Sequence, residues 1–293
     1  MNTTGFDVHA YMRHPLAIRP TDVDVDVMDA LSAPALDALT CLWQVERTAL
    51  GRMRDVLVTP THAESRVSAF LTTWGYEQHW LAQTLHAVLH TNGRSPQEPF
   101  DTRRGRIRRS WDDRARPTVA AIATNLMGAE ITGAHMVTGW LDTAVLTVAY
   151  RQLGEIEPAL KELTEAITRA KERHLGFYAE EVGTRLARSA AARRIARSAV
   201  ARWHFPGTRY AGGEPARAAL FPLFTDPAGR AALEEINRTA AAFPGLSRTR
   251  PVHHRCTMDR RPVPRRWLRR VGRRTTRTEA RVVRRSMRPA RLL

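Results

Sequence analysis

Five polar side chains fall where a helix bundle should be apolar: Glu46, Glu77, His135, Asp142 and His174. Each lies on the apolar stripe of its helical segment, and four segments are involved. A carboxylate taken out of water costs several kcal/mol unless it is paired, protonated or bound to a cation. Four helices that each turn an acid or an imidazole inward have the pattern of a polar or metal-holding centre in a bundle core.

The stripes are read from steps of three and four. From about Pro34, Leu39, Leu42, Trp43, Glu46, Leu50 and Met53 recur, ending near Thr59-Pro60. Thr61 is placed to cap the second helix, with Glu64 three residues on. That helix shows Phe70, Trp74, Glu77, Leu81, Leu85 and Val88 on one face and stops at Asn92-Gly93. A third helix is expected over about 118–153, with Gly128, Thr132, His135, Gly139, Asp142, Leu146 and Ala149 on one side. Its small residues let a neighbouring helix or a ligand approach closely. A fourth, about 158–189, carries Leu163, Ile167, Ala170, His174, Phe177 and Glu181. Shorter helices are expected near 190–203, 214–223 and 227–241. No strand-period run of useful length occurs, so the fold class is all-α.

Composition divides the chain. The net charge is +17, yet residues 248–293 hold 17 Arg against Asp259 and Glu279, a net of +15, which leaves +2 for residues 1–247. The organisation is therefore an irregular segment 1–32, a helical domain 33–247 and an Arg-rich tail 248–293 that reads as disordered. The tail could grip the phosphates of nucleic acid or lie on an anionic membrane through Trp267, Leu268 and Val271. A solvated appendage without a partner, or an extended reading of a GC-rich gene, fits it equally. Only Lys161 and Lys171 are lysines, against 44 Arg. Cys41 and Cys256 form neither a disulfide framework nor a zinc motif. No run reaches the roughly 18 apolar residues of a membrane span, and the N-terminus has no signal-peptide pattern. A cytoplasmic protein is expected.

With the stretches WQVER, WGYEQHW, GWLDTAVLTVAY and KERHLGFY on four such helices, residues 34–187 resemble the ferritin-like superfamily of di-metal carboxylate proteins. That group includes ferritins, multicomponent monooxygenases, acyl-carrier-protein desaturases and ribonucleotide reductase-like proteins. The resemblance implies an antiparallel four-helix bundle with extra C-terminal helices. It also implies iron or manganese at the core, dioxygen activation and an apolar small-molecule substrate. In the superfamily two helices give one Glu each and two give Glu-x-x-His. By register, Glu46 and Asp142 stand for the single acids, Glu77 for the acid of the first motif and His174 for the imidazole of the second. His135 lies two turns before Asp142.

The chain departs from that pattern. Three residues after Glu77 stands Trp80, and His79 is rotated about 200° off the face. Three residues before His174 stands Lys171 rather than an acid. Three readings stay open: a complete two-metal site, a single-metal or altered site, and a metal-free core in which the Lys171 ammonium supplies the missing positive charge. The first two make the protein a metal-dependent oxidoreductase. The third makes it a non-catalytic bundle that works by binding a partner, or a carrier for its tail. A homodimer is compatible with each.

His79, His86 and His90 with Gln83 form a second ligand row or a solvated face. Trp43, Trp74, Trp80 and Trp140 line a pocket or fill the core. Tyr76 and Tyr178 are candidate partners of a metal site. No phosphate loop or nucleophile elbow is present.

Overall fold

The helices begin and end where short polar side chains and glycine allow. The structure is a computed structural model, and it describes residues 5–95, 128–206, 218–252 and 256. Helix α1 (Val8–Arg13) starts at Asp7, whose carboxylate accepts the Ala10 N–H at 2.9 Å. Helix α2 (Ala33–Arg47) is capped by Ser32 and carries Pro34 in its first turn. The long first helix expected from the sequence is divided at Thr48, whose hydroxyl bonds back to the Val45 carbonyl; α3 (Ala49–Leu57) follows. Thr61 sits in a short 3-10 turn, and α4 (Ser65–Thr91) begins after Glu64. It ends as expected: Asn92 Nδ2 donates to the Val88 carbonyl, and Gly93 takes a φ of 67° that lets the chain leave the helix.

Helix α5 (Ile131–Ile156) and helix α6 (Lys161–Arg188) are joined by a turn at Glu157–Leu160 and pack along most of their length. The first residues of the helix expected from 118 lie outside the described residues. Helix α7 (Ala190–Ala201) is capped by Ser189, and α8 (Phe221–Thr225) leads into α9 (Pro227–Ala242), capped by Asp226. The protein is all-α, with no strand among the described residues.

Helix α4 packs on α2 and α3, and α5 packs on α6, α7, α8 and α9. Aromatic rings join the two groups. Phe70 on α4 stacks on Phe177 of α6 at 3.8 Å between centroids, and Tyr178 meets Phe70 edge-on at 5.1 Å. Phe6 and Tyr11 extend this cluster from the N-terminal segment. The stripe expected on α4 is buried throughout, as is that on α6. On the first helical stretch Glu46 is buried, but Leu50, beyond the break at Thr48, is 44% exposed.

The N-terminal segment is more ordered than an irregular leader. Phe6 N–H donates to Glu180 at 2.5 Å, and Arg66 on α4 ties Glu180 and Glu181 of α6 to the Phe6 carbonyl. The compact unit that contains the helices extends to Thr257. Val252 and Cys256 are buried in it, and Val252 N–H donates to Asn237 Oδ1 at 3.1 Å. The rest of the Arg-rich tail lies outside the described residues. No helix among the described residues is long and apolar enough to cross a membrane.

Candidate functional site: a buried polar core beside a cavity

Helix α6 brings two groups to the core one turn apart. Lys171 Nζ lies 2.8 Å from Glu46 Oε1, with both side chains almost wholly buried. The same ammonium donates to Gln78 Oε1 at 3.3 Å. Tyr150 on α5 donates its hydroxyl to Glu46 Oε1 at 3.1 Å. Glu46 is thus held from α5 and α6 together, while its Oε2 has no hydrogen-bond partner.

The second pair is His174 and Glu77, with Nε2 2.5 Å from Oε2. Tyr11 O–H donates to the same oxygen at 2.6 Å, and Leu16 N–H to Oε1 at 2.6 Å. Burial works to raise the Glu77 carboxyl, but its three donors, led by His174, outweigh burial and hold it below the usual carboxylate range. Burial lowers the His174 imidazole, and Glu77 only partly opposes that. A neutral imidazole donating Nε2–H to a carboxylate satisfies both directions, and it leaves Nδ1 without a partner.

Asp142 and His135 stand apart from these pairs, on the wall of an adjoining cavity of about 90 Å³. Asp142 accepts from Trp203 Nε1 at 2.8 Å and from Arg52 Nη1 at 3.3 Å. Burial raises its carboxyl, and Arg52 and Trp203 act against that. His135 Nδ1 pairs with the Thr61 hydroxyl at 2.9 Å, and burial pushes its imidazole down to about 4. The polar wall is completed by Arg52, Gln78, Lys171 and Tyr178. Apolar side chains also line the cavity, among them Trp74, Leu71, Val56, Met136 and Leu146. Burial lowers the Lys171 ammonium despite the pull of Glu46, and Arg52 adds to the lowering.

The structure therefore joins Glu46, Glu77 and His174 with Lys171 in one core and places Asp142 and His135 beside it. Among the described residues no group of three or more His, Cys, Asp or Glu side chains converges as a cation site. As arranged, these donors do not fit an iron or manganese centre. Both oxygens of Glu77 and of Asp142 accept hydrogen bonds, one of them from the Arg52 guanidinium, and the Lys171 ammonium sits against Glu46. A metal would have to displace the ammonium and both hydroxyl donors, since of the Glu46, Glu77 and His174 ligand atoms only Glu46 Oε2 and His174 Nδ1 lack a partner.

His79, Gln83, His86 and His90 are exposed, as a solvated face requires. Tyr76 is 40% exposed and bonds Arg19, whereas Tyr178 is buried on the cavity wall. Trp43, Trp74 and Trp140 are buried, and Trp74 alone of these lines the cavity.

Sequence reasoning missed Tyr11, Arg52, Gln78, Tyr150 and Trp203. Gln78 follows Glu77 directly, and Tyr150 lies one turn beyond Leu146 on the expected stripe, so both carried a signal. Tyr11 and Trp203 come from segments read as irregular or terminal, and nothing local marks them. No protein family, no curated protein and no solved structure matches this chain.

Proposed function

We propose that this chain is a ferritin-like helical protein whose core is held by ion pairs rather than metal, and that it binds a small organic molecule in the cavity beside that core. The observation that carries this reading is the 2.8 Å contact of Lys171 Nζ with Glu46 Oε1. It neutralises the inward acid of α2 and also sets a cation on the cavity wall. The four helices that hold the core (α2, α4, α5 and α6) are those the ferritin-like resemblance would supply.

The cavity suits a ligand with a polar end and an apolar side. Arg52, Lys171, Asp142 and Gln78 offer charge and hydrogen bonds, and the Trp74 indole lies under the Arg52 guanidinium at 5.6 Å. The cavity of about 90 Å³ is several times the roughly 10–15 Å³ that holds one water. That is the size of a small metabolite, not of a long acyl chain.

The test is ligand-observed NMR on the full-length protein with a library of small organic acids, amides and aldehydes. The same library is run on Leu146→Trp, which fills the cavity. Compounds that bind the parent chain and are lost in Leu146→Trp, with helical circular dichroism retained, support the reading. One or two iron or manganese ions per chain in protein purified without chelators, lost in Glu77→Ala, would overturn the metal-free core.

A further inference from the structure

This chain uses arginine for almost every cation: 44 Arg against two Lys. One lysine, Lys161, is exposed at the start of α6. The other, Lys171, is 2% exposed and lines the cavity. Guanidinium serves equally or better than ammonium for a buried ion pair with a carboxylate, because its planar fork makes two parallel bonds. What lysine has and arginine lacks is an amine that can give up its proton and attack a carbonyl carbon.

We propose that Lys171 forms an imine with a small 2-oxo acid that enters the cavity, Glu46 serving as proton acceptor and counter-ion and Arg52 as the partner of the acid's carboxylate. This rests on the cavity being a ligand site, as proposed above. The surroundings supply each part. Glu46 Oε1 lies 2.8 Å from Nζ, so the ammonium proton has a direct route to a carboxylate. Gln78 Oε1 and the Tyr150 ring, 5.4 Å from Nζ, fix the amine from two further sides. Arg52 has one described hydrogen bond, from Nη1 to Asp142, and its guanidinium lines the same cavity, so donors remain for a second anion.

The step balances without any other reagent. Lys171 passes a proton to Glu46, and the nitrogen lone pair forms the C–N bond while the carbonyl π pair moves to oxygen. That oxygen takes up the proton from Glu46, giving the carbinolamine. Glu46 then takes the second nitrogen proton and hands it to the hydroxyl, the nitrogen lone pair closes the C=N bond as the C–O bond breaks, and water leaves a protonated imine. One ammonium and one carbonyl give one iminium and one water. The charge facing Glu46 is the same before and after the step, ammonium at the start and iminium at the end.

The experiment is reductive trapping on the full-length protein. The chain is incubated with glyoxylate or pyruvate and sodium cyanoborohydride, digested, and the two lysine peptides are compared by mass spectrometry, with ligand-observed NMR of the same compounds in parallel. The expected result is reduced adduct on Lys171 at least tenfold above that on the exposed Lys161, abolished in Leu146→Trp and slowed in Glu46→Gln. Equal labelling of both lysines, or labelling untouched by Leu146→Trp, would overturn the proposal. If NMR shows the oxo acid bound and nothing is trapped on Lys171, the imine is wrong and the binding cavity stands. If the oxo acids are neither bound nor trapped, while other compounds compete for the cavity, the ligand class is wrong as well. A cavity that binds no compound at all overturns both readings together.

Discussion

Lys171 and His174 stand three residues apart on α6 and hold different carboxylates, Lys171 that of Glu46 and His174 that of Glu77. One helical turn thus presents an ammonium and an imidazole to acids from α2 and α4. The core therefore holds two carboxylates with a fixed cation already between the helices.

The Lys171–Glu46 pair sets a stability expectation. Removing one partner of a buried pair leaves an uncompensated charge and costs about 3–5 kcal/mol, whereas replacing both with neutral groups is close to neutral. Lys171→Met should lower the urea-unfolding free energy by about that amount, and Lys171→Met with Glu46→Gln should recover most of it. A single variant within about 1 kcal/mol of the parent would mean that Glu46 is neutral or watered in the folded chain.

The N-terminal segment is expected to stabilise the core through Glu77. Tyr11 O–H and Leu16 N–H both donate to this carboxylate at 2.6 Å. A hydrogen bond to a charged group contributes about 1.5–3 kcal/mol. Tyr11→Phe should cost roughly that and should speed hydrogen exchange at the Leu16 amide. Unchanged exchange at Leu16 would show that the segment is held by Phe6 and its ring contacts alone.

The helices and their inward faces were legible because burial follows a period of 3.6, and an acid on that period is conspicuous. Phe70, Trp74, Glu77, Leu81, Leu85 and Val88 read correctly as one face for this reason. The break at Thr48 was less legible, since Thr48 only weakly disfavours a helix and the apolar steps continue past it. The pairing of the acids was half visible. Lys171 stood at the register of a missing ligand, but whether its ammonium reaches Glu46 depends on how α2 and α6 cross, which no local pattern encodes. Tyr11 on Glu77 and Trp203 on Asp142 bridge 66 and 61 positions of sequence. Contacts of that range come from the packing of whole helices and leave no trace in periodicity.

Acid should weaken the fold through its buried imidazoles, with the raised Asp142 carboxyl acting in the opposite direction. Burial holds the His135 imidazole at about 4, against an ordinary 6.5, and lowers His174 as well. Between those values the unfolded chain binds protons that the folded chain refuses, so stability falls as pH drops from about 6.5 toward 4. Glu77 acts in the same direction further down. Its contribution is complete above its ordinary 4.5 and is lost as pH falls through its lowered folded value. Denaturation midpoints measured from pH 7 to pH 5 should decline, and His135→Gln should flatten the decline by up to one proton, about 1.4 kcal/mol per pH unit. An identical slope in His135→Gln would assign the protons elsewhere.

Glycine on α5 sets how closely α6 approaches the cavity. A Cβ on Gly139 would lie 2.6 Å from Tyr178 Cε1, far inside van der Waals contact with a ring that is itself packed edge-on against Phe70. Alanine in a helix interior gains about 1 kcal/mol over glycine, but forcing a methyl group into a packed core costs about 1–3 kcal/mol. The stiff ring leaves little room to yield, so Gly139→Ala should lower the melting temperature, and adding Tyr178→Leu should relieve part of the loss. Gly183 on α6 is the opposite case, with nothing within 4 Å of a Cβ built there. Gly183→Ala should therefore raise the melting temperature by the propensity gain alone. The same substitution on two helices is expected to change stability in opposite directions, and differential scanning calorimetry on the two variants decides it. Stabilisation by Gly139→Ala would show that Tyr178 can swing away, and would make the cavity wall at that point adjustable rather than fixed.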